Sequence, residues 1–371
     1  MMKDQTQPVM IGVDIGGTKM AAAVVNPAPV PSLLSTPVSI PTPAHDGPQA
    51  MVSALVDLIV KVYETSGLVH GTCQGRCVTL VGCGVGTAGV VNVDDQMIVS
   101  ATDAITGWAG THLGKDLAHQ LARRVKAFQT RERTHTASIA PGVGQDISYA
   151  PLAIGTERIH IQNDVDAYAM GEAVAGAGRR YSSMIMAAVG TGVGGAVVLN
   201  STVWRGAHHV AGEVGHMPVA LAMDEPCTCG RTGHLEAICA GPSIHRRYLA
   251  LGGDHCALHA RDVEKRADDG DAIALRVYEE SARALGKALA GLATVIDPEC
   301  IVVSGGLSRA GELWWQPLRE TFRNELIGPL RTIPLIPGEA GTSAPIIGAA
   351  ASCWQLPAVQ RMNRALNASN H

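Results

Sequence analysis

Nowhere does the sequence hold an apolar run of membrane-spanning length, and its start, MMKDQTQPVMIG, puts no long apolar stretch behind a basic end. A membrane partner and a secretory leader are therefore not expected, and the cytoplasm is the expected location. A strong excess of one charge is also missing. Lysine and arginine total 29 against 33 aspartate and glutamate, a formal net charge of -4, and aromatic residues make up only 4% of the chain. Without a basic stripe interleaved with aromatics, a nucleic acid is not an expected partner. The nine cysteines, an odd number, do not resemble an extracellular disulfide set and are expected to be mostly reduced. Two nucleotide motifs are absent as well. There is no GxxxxGK[ST] element, which excludes a P-loop enzyme. Neither glycine loop opens a βαβ unit as a GxGxxG followed about twenty positions later by an acidic residue, which argues against dinucleotide binding.

What the chain does have is apolar mass: 46% of its 371 residues are hydrophobic and 17% are charged. That is enough for well-filled cores and more chain than one core usually holds, so two domains are expected. Val9 to Asp14 and Met20 to Val25 read as two strands joined by a GGTK tip, and residues 183 to 199, SMIMAAVGTGVGGAVVL, repeat that shape. The repetition predicts an internal duplication in which each domain opens on a glycine-tipped hairpin. Helices are predicted at 49 to 64, 111 to 126 and 270 to 295, strands around 78 to 85 and 157 to 164, and a last helix from PIIGAAASCW. The stretch 127 to 157 is polar and aperiodic and reads as a surface excursion. This order predicts an α/β fold in both halves, with domains at 1-160 and 161-342 and a C-terminal helix at about 343-371 packing back on the first.

Asp14 ends an apolar strand just before Gly16, Gly17 and Thr18. Glycines let backbone N–H groups approach phosphate oxygens, Thr18 adds a hydroxyl, and Asp14 is placed to hold Mg²⁺. Gly190, Thr191, Gly192, Gly194 and Gly195 offer a second such cradle, and Gly305 and Gly306 follow a further strand. Each loop alone is equally an ordinary tight turn, and Lys19 is either a phosphate contact or a solvated hairpin residue. Asn163 and Asp164 end a strand ahead of a helix, where Asp164 is either a base for a sugar hydroxyl or a helix N-cap, and Asn163 can hold another hydroxyl. His216, Cys227, Cys229 and His234 supply two imidazoles and two thiolates, a tetrahedral zinc set with no open position and hence structural. Such a zinc would clamp the segments bearing Glu213 and Glu236, which can then meet sugar hydroxyls; Glu236 also reads as a solvated helix residue. His216 can bind zinc with one nitrogen and sugar with the other.

Taken together, DIGGTK at 14 to 19, QND at 162 to 164, GTGVGG at 190 to 195, EVGH at 213 to 216 and CTCGRTGHLE at 227 to 236 resemble the ROK family of sugar kinases and sugar-responsive repressors. The resemblance spans about 9 to 355. It implies a two-domain actin-like ATPase fold around a cleft, MgATP as cosubstrate, a structural zinc and often a homodimer. It also implies Asp164 as general base and Asn163, Glu213, His216 and Glu236 as sugar contacts. One departure stands out: the family usually has a third cysteine where this chain has His234. The repressors carry a helix-turn-helix domain ahead of DIGGTK, for which the eight residues here are too few, so a kinase is expected and a non-catalytic sugar sensor is the alternative. The segment SATDAITGW is more similar to N-acetylmannosamine kinases than to glucose-specific members, with Thr102 and Gly86 offering room and a partner for an N-acetyl group. N-acetyl-D-mannosamine, phosphorylated at C6, is thus the expected sugar, with glucose and N-acetylglucosamine as alternatives.

Overall fold

The computed structural model describes residues 6–102, 104–136 and 148–369. The chain forms two compact units, one of residues 1–175 with 342–371 and the other of residues 176–341. Each is built on a mixed sheet.

In the first unit, β1 (Gln7–Ile15) and β2 (Lys19–Asn26) form the predicted antiparallel hairpin, with Ile15 opposite Met20. Two short strands, β3 (Ser32–Leu33) and β4 (Val38–Pro41), pair with β2. After α1 (Pro48–Thr65), β5 (Thr72–Cys73) turns back antiparallel into β6 (Arg76–Thr87), which runs parallel beside β1. A separate ribbon of β7 (Val90–Asn92) and β8 (Met97–Ser100) precedes α2 (Leu113–Thr136). β9 (Ile159–Asn163) then pairs parallel with β6, and α3 (Asp164–Ala175) follows. The central strands show little alternation because both faces are covered: in β1, Val9 to Val13 are all buried.

The second unit opens with β10 (Met184–Val189), β11 (Val193–Leu199) and β12 (Thr202–Trp204), an antiparallel run. Four helices follow, α4 (Glu236–Cys239), α5 (Gly241–Ala250), α6 (Ala260–Asp268) and α7 (Ala272–Ile296). Asp271 caps α7, its carboxylate accepting from the N–H groups of Ile273 at 2.8 Å and Ala274 at 3.0 Å. β13 (Cys300–Ser304) lies parallel to β10, and after α8 (Glu312–Glu325), β14 (Leu335–Pro337) lies parallel to β13. The order β12-β11-β10-β13-β14 matches β3-β2-β1-β6-β9 in the first unit, strand for strand and in direction. This is what the two similar hairpin sequences lead one to expect of a duplication.

The last two helices, α9 (Ala344–Trp354) and α10 (Pro357–Ser369), return to the first unit. Helix α9 lies so close to the sheet and to α3 that glycine is required at the seam. A Cβ on Gly84 would sit 1.9 Å from the Ala349 carbonyl oxygen, and one on Gly348 would sit 1.8 Å from the Ala167 carbonyl oxygen. The same contact explains a difference from the sequence-based boundary at 160/161. The strand of QND and the helix after it belong to the first unit, because β9 pairs with β6 and Gly171 of α3 meets Ala344 of α9. A second difference concerns the polar stretch 127 to 157. Its first ten residues continue α2 to Thr136, and residues 137–147 lie outside the described residues. Among the described residues, no helix is long and apolar enough to cross a membrane.

Candidate active site

The first unit gathers its candidate residues at the carboxyl ends of three neighbouring parallel strands, the usual place for a site in such sheets. Asp14 near the end of β1 pairs with Gly86 of β6, which pairs with Gln162 of β9. One row further, Asn163 starts the turn into α3. The Asn163 side-chain oxygen accepts from Val165 N–H at 2.8 Å and Asp166 N–H at 3.2 Å, and its amide donates to the Gly89 carbonyl at 3.0 Å. Asn163 is therefore the main helix cap. One oxygen of Asp164 also accepts from Val165 N–H at 3.0 Å, but the capping duty is shared, and Asp164 keeps a half-buried carboxylate.

Burial pushes the pKa of Asp164 up, against the pull of the Val165 N–H and Asn163. Asp14, also half-buried, is pushed up to about 6 by burial first and by the charge of Asp164 second, with Lys19 acting in the opposite direction. Two carboxylates with raised proton affinity, one of them raised in part by the charge of the other, form a locus for a cation and for a base. Gly17, Thr18 and Lys19 are exposed at the hairpin tip. The tip is fixed by Gly16 N–H to Lys19 O at 3.0 Å, by Thr42 N–H to Thr18 O at 3.1 Å and by the Thr42 hydroxyl to Gly16 O at 2.7 Å.

Two residues expected at an N-acetyl pocket are placed otherwise. Gly86 is buried under α3, where a Cβ would meet the Ala167 methyl at 2.8 Å, so its missing side chain serves packing and leaves no room for an acyl group. Thr102 is exposed in a turn, its carbonyl accepting from Ile105 N–H. The tryptophan of that segment, Trp108, is buried and donates from Nε1 to the Thr87 hydroxyl at 3.1 Å.

In the second unit, a cavity of about 770 Å³ is lined by Gly190, Thr191 and Gly306, the predicted glycine sites of that unit. A nucleotide-sized ligand suits that volume. His245 of α5, Arg261 of α6, Tyr278 of α7 and Arg309 are also on its wall. These four escaped the sequence reading; the only signal was Arg309 standing three residues after Gly306. Their cationic and aromatic character suits phosphates and a base. Packing accounts for two other glycines of the motifs, Gly195 and Gly305. Gly194 and Gly195 lie within β11, and a Cβ on Gly195 would meet Met186 O at 2.7 Å. Gly305, at φ +88°, would place a Cβ 2.4 Å from Val189 O.

The four expected metal ligands converge: one donor atom from each of His216, Cys227, Cys229 and His234 lies within 4.8 Å of all the others. Cys227 Sγ is 3.7 Å from His216 Nδ1, and Cys229 Sγ is 3.2 Å from His234 Nδ1. Sulfur and nitrogen on a tetrahedral zinc are about 3.6 Å apart for the usual bond lengths, so the donor set fits. The knuckle is closed by Gly230 N–H to Cys227 O at 3.0 Å and Cys227 N–H to Arg231 O at 2.7 Å, with Gly230 at φ +82°. Glu225 holds the approach to it, accepting from Arg247 Nε at 2.8 Å and Arg246 at 3.1 Å. Glu213 and His216 are exposed near this knuckle. Glu236 is not: it is 9% exposed, one carboxylate oxygen accepts from Val193 N–H at 2.9 Å and the other from the Thr228 hydroxyl. Each of its oxygens thus has a partner within the unit.

The ROK family model matches residues 10–130 and 155–355 of the chain. A glucokinase of Halalkalibacterium halodurans is 30% identical over 324 residues, covering 84% of either chain. Among solved structures, a ROK hexokinase from Thermus thermophilus superposes with a TM-score of 0.71 at 26% identity, covering 93% of this chain and 97% of that one. A ROK family glucokinase from Streptomyces griseus, in complex with glucose and AMPPNP, gives 0.64 at 27% identity, over 92% and 98% of the two chains.

Proposed function

The chain belongs to the ROK family, and from that premise we propose that it transfers the γ-phosphoryl group of ATP to the C6 hydroxyl of glucose, with Asp164 as general base. The α/β sugar-kinase fold and ATP-dependent phosphotransfer to a sugar come with membership; glucose and the residue roles are our reading. The observation that carries it is the state of Asp164. Asn163 caps α3, and a half-buried Asp164 is left with raised proton affinity beside Asp14. A carboxylate of that kind is a better proton acceptor for a hydroxyl than an ordinary solvated one.

Glucose takes the place of N-acetylmannosamine in this reading for two reasons. The 30% identical relative is a glucokinase, and the room that Gly86 was expected to give an acyl group is filled by Ala167. Sugar hydroxyls would be held by Asn163 and by the exposed Glu213 and His216. With His216 Nδ1 turned toward Cys227, Nε2 is left for a hydroxyl. Zinc would be held by His216, Cys227, Cys229 and His234, and its contribution there is to fix the fold of the knuckle. Asp14 would hold Mg²⁺, whose charge offsets that developing on the phosphates. The backbone N–H groups of Gly16 to Thr18 and of Gly190 to Gly192 would bind phosphate oxygens, and Arg261 and Arg309 would add charge.

ADP release is the test, measured with MgATP and glucose, N-acetylglucosamine, N-acetylmannosamine or no sugar. Glucose should exceed either acetylated sugar at least tenfold in kcat/KM. A preference for an acetylated sugar would overturn the choice of glucose and leave the kinase in place.

A further inference from the structure

We infer that Glu236 is a positioning residue that couples the Cys–His knuckle to the nucleotide-phosphate loop, so that the geometry of the knuckle is read out in nucleotide affinity. The inference rests on the reading of Gly190 to Gly192 as a phosphate cradle.

A carboxylate with 9% exposure is costly unless its oxygens are bonded. Those of Glu236 are bonded to two different places. Oε2 accepts from the N–H of Val193, the first residue of β11 after the glycine tip, at 2.9 Å. Oε1 accepts from the hydroxyl of Thr228, which stands between Cys227 and Cys229. The tip is shaped to admit this contact: a Cβ on Gly192 would lie 2.9 Å from Oε2, so a side chain there would press on the carboxylate. Gly192 is thus side-chain-free on the side of Glu236 as well as of any phosphate.

A second strap holds the other end of the tip. Gly241 N–H, just past the end of α4, donates to Gly190 O at 2.8 Å. The tip is therefore gripped on both flanks, at Val193 by Glu236 of α4 and at Gly190 by Gly241, the first residue of α5. Of the two, only the Glu236 strap continues into the knuckle. Whatever fixes the two sulfurs fixes the Thr228 hydroxyl between them, and through it the carboxylate and the loop. The physical path is short, a hydroxyl, one carboxylate and one backbone N–H, with each link a hydrogen bond.

Thr228→Val tests this, since it removes the hydroxyl while keeping the side chain's size and all four candidate ligands. Dissociation constants for ADP are measured by calorimetry, alongside zinc per chain and KM for the sugar. The expected result is roughly a five- to thirtyfold weaker ADP affinity, the loss of one hydrogen bond to a charged group, with zinc content unchanged and sugar KM within about twofold. Thr228→Ser should restore ADP affinity to near the parent value. If valine prevents folding, as read from its melting curve, Thr228→Ala is measured in its place. Unchanged ADP affinity in a folded, zinc-retaining variant overturns the coupling. Absence of ADP binding in the parent overturns the cradle reading, and the coupling with it, which the parent's own titration distinguishes from the first outcome.

Discussion

Replacing Asp14 by Asn should make the protein more stable at neutral pH while removing its activity. Asp14 is half-buried at the end of β1, and burial together with the charge of Asp164 pushes its pKa from the ordinary 3.8 to about 6. The folded chain therefore holds the Asp14 proton more tightly than the unfolded chain does. Stability contributed in this way is fully present below about pH 3.8 and is lost as pH rises through 6. A rise from 3.8 to about 6 is worth about 3 kcal/mol, and partial solvent access reduces this to about 1–2 kcal/mol. Asparagine carries no charge to bury. In buffer free of magnesium and nucleotide, Asp14→Asn should melt roughly 3–6 °C above the parent at pH 8 and together with it near pH 4. The assay is a set of thermal unfolding curves from pH 4 to 8, with ADP release measured in parallel. A variant that melts below the parent at pH 8, or a difference that does not change with pH, would refute the reasoning.

Asp164→Asn should lower kcat by at least about a hundredfold and leave glucose affinity within about threefold, checked by steady-state kinetics and calorimetry; turnover within threefold of the parent would falsify the base assignment. Gly348→Ala should destabilise the first unit by at least about 1–3 kcal/mol, because the new methyl would stand 1.8 Å from the Ala167 carbonyl oxygen; chemical denaturation checks it, and an unchanged midpoint would contradict the seam. His234→Ala should reduce zinc from about one per chain to well under half, as measured by elemental analysis after dialysis, since three donors without the fourth bind more weakly.

Much of the fold is legible because the information is local. The two glycine-tipped hairpins announce themselves by an apolar run on each side of the tip, and the structure repeats not only the hairpins but the strand order around them. The Cys-x-Cys spacing, with His234 five residues past Cys229, is likewise a local signal, and the four donors do converge. What could not be read depends on contacts between distant segments. The domain boundary went astray because only pairing with β6, some 75 residues earlier in the chain, assigns β9 to the first unit. The wall of the 770 Å³ cavity escaped because His245, Arg261 and Tyr278 each sit on a separate helix whose pattern reads as ordinary amphipathic sequence. Gly86 and Glu236 show a third kind of loss. A glycine looks the same whether it leaves room for a ligand or for a helix, and a glutamate looks the same whether it meets a sugar or a backbone N–H. Only the direction of the neighbouring atoms separates these cases.

The seam between α9 and the sheet also bears on how the chain is made. The second unit is one uninterrupted stretch, residues 176–341, and can fold as soon as it leaves the ribosome. The first unit is synthesised earlier but cannot be finished, because the helix that fills its glycine-lined groove comes from residues 344–354. During translation its strands β1 and β6 wait with one face uncovered while residues 88–343 are added. The half of the molecule that is born first is thus completed last, its groove closed when residues 344–354 arrive.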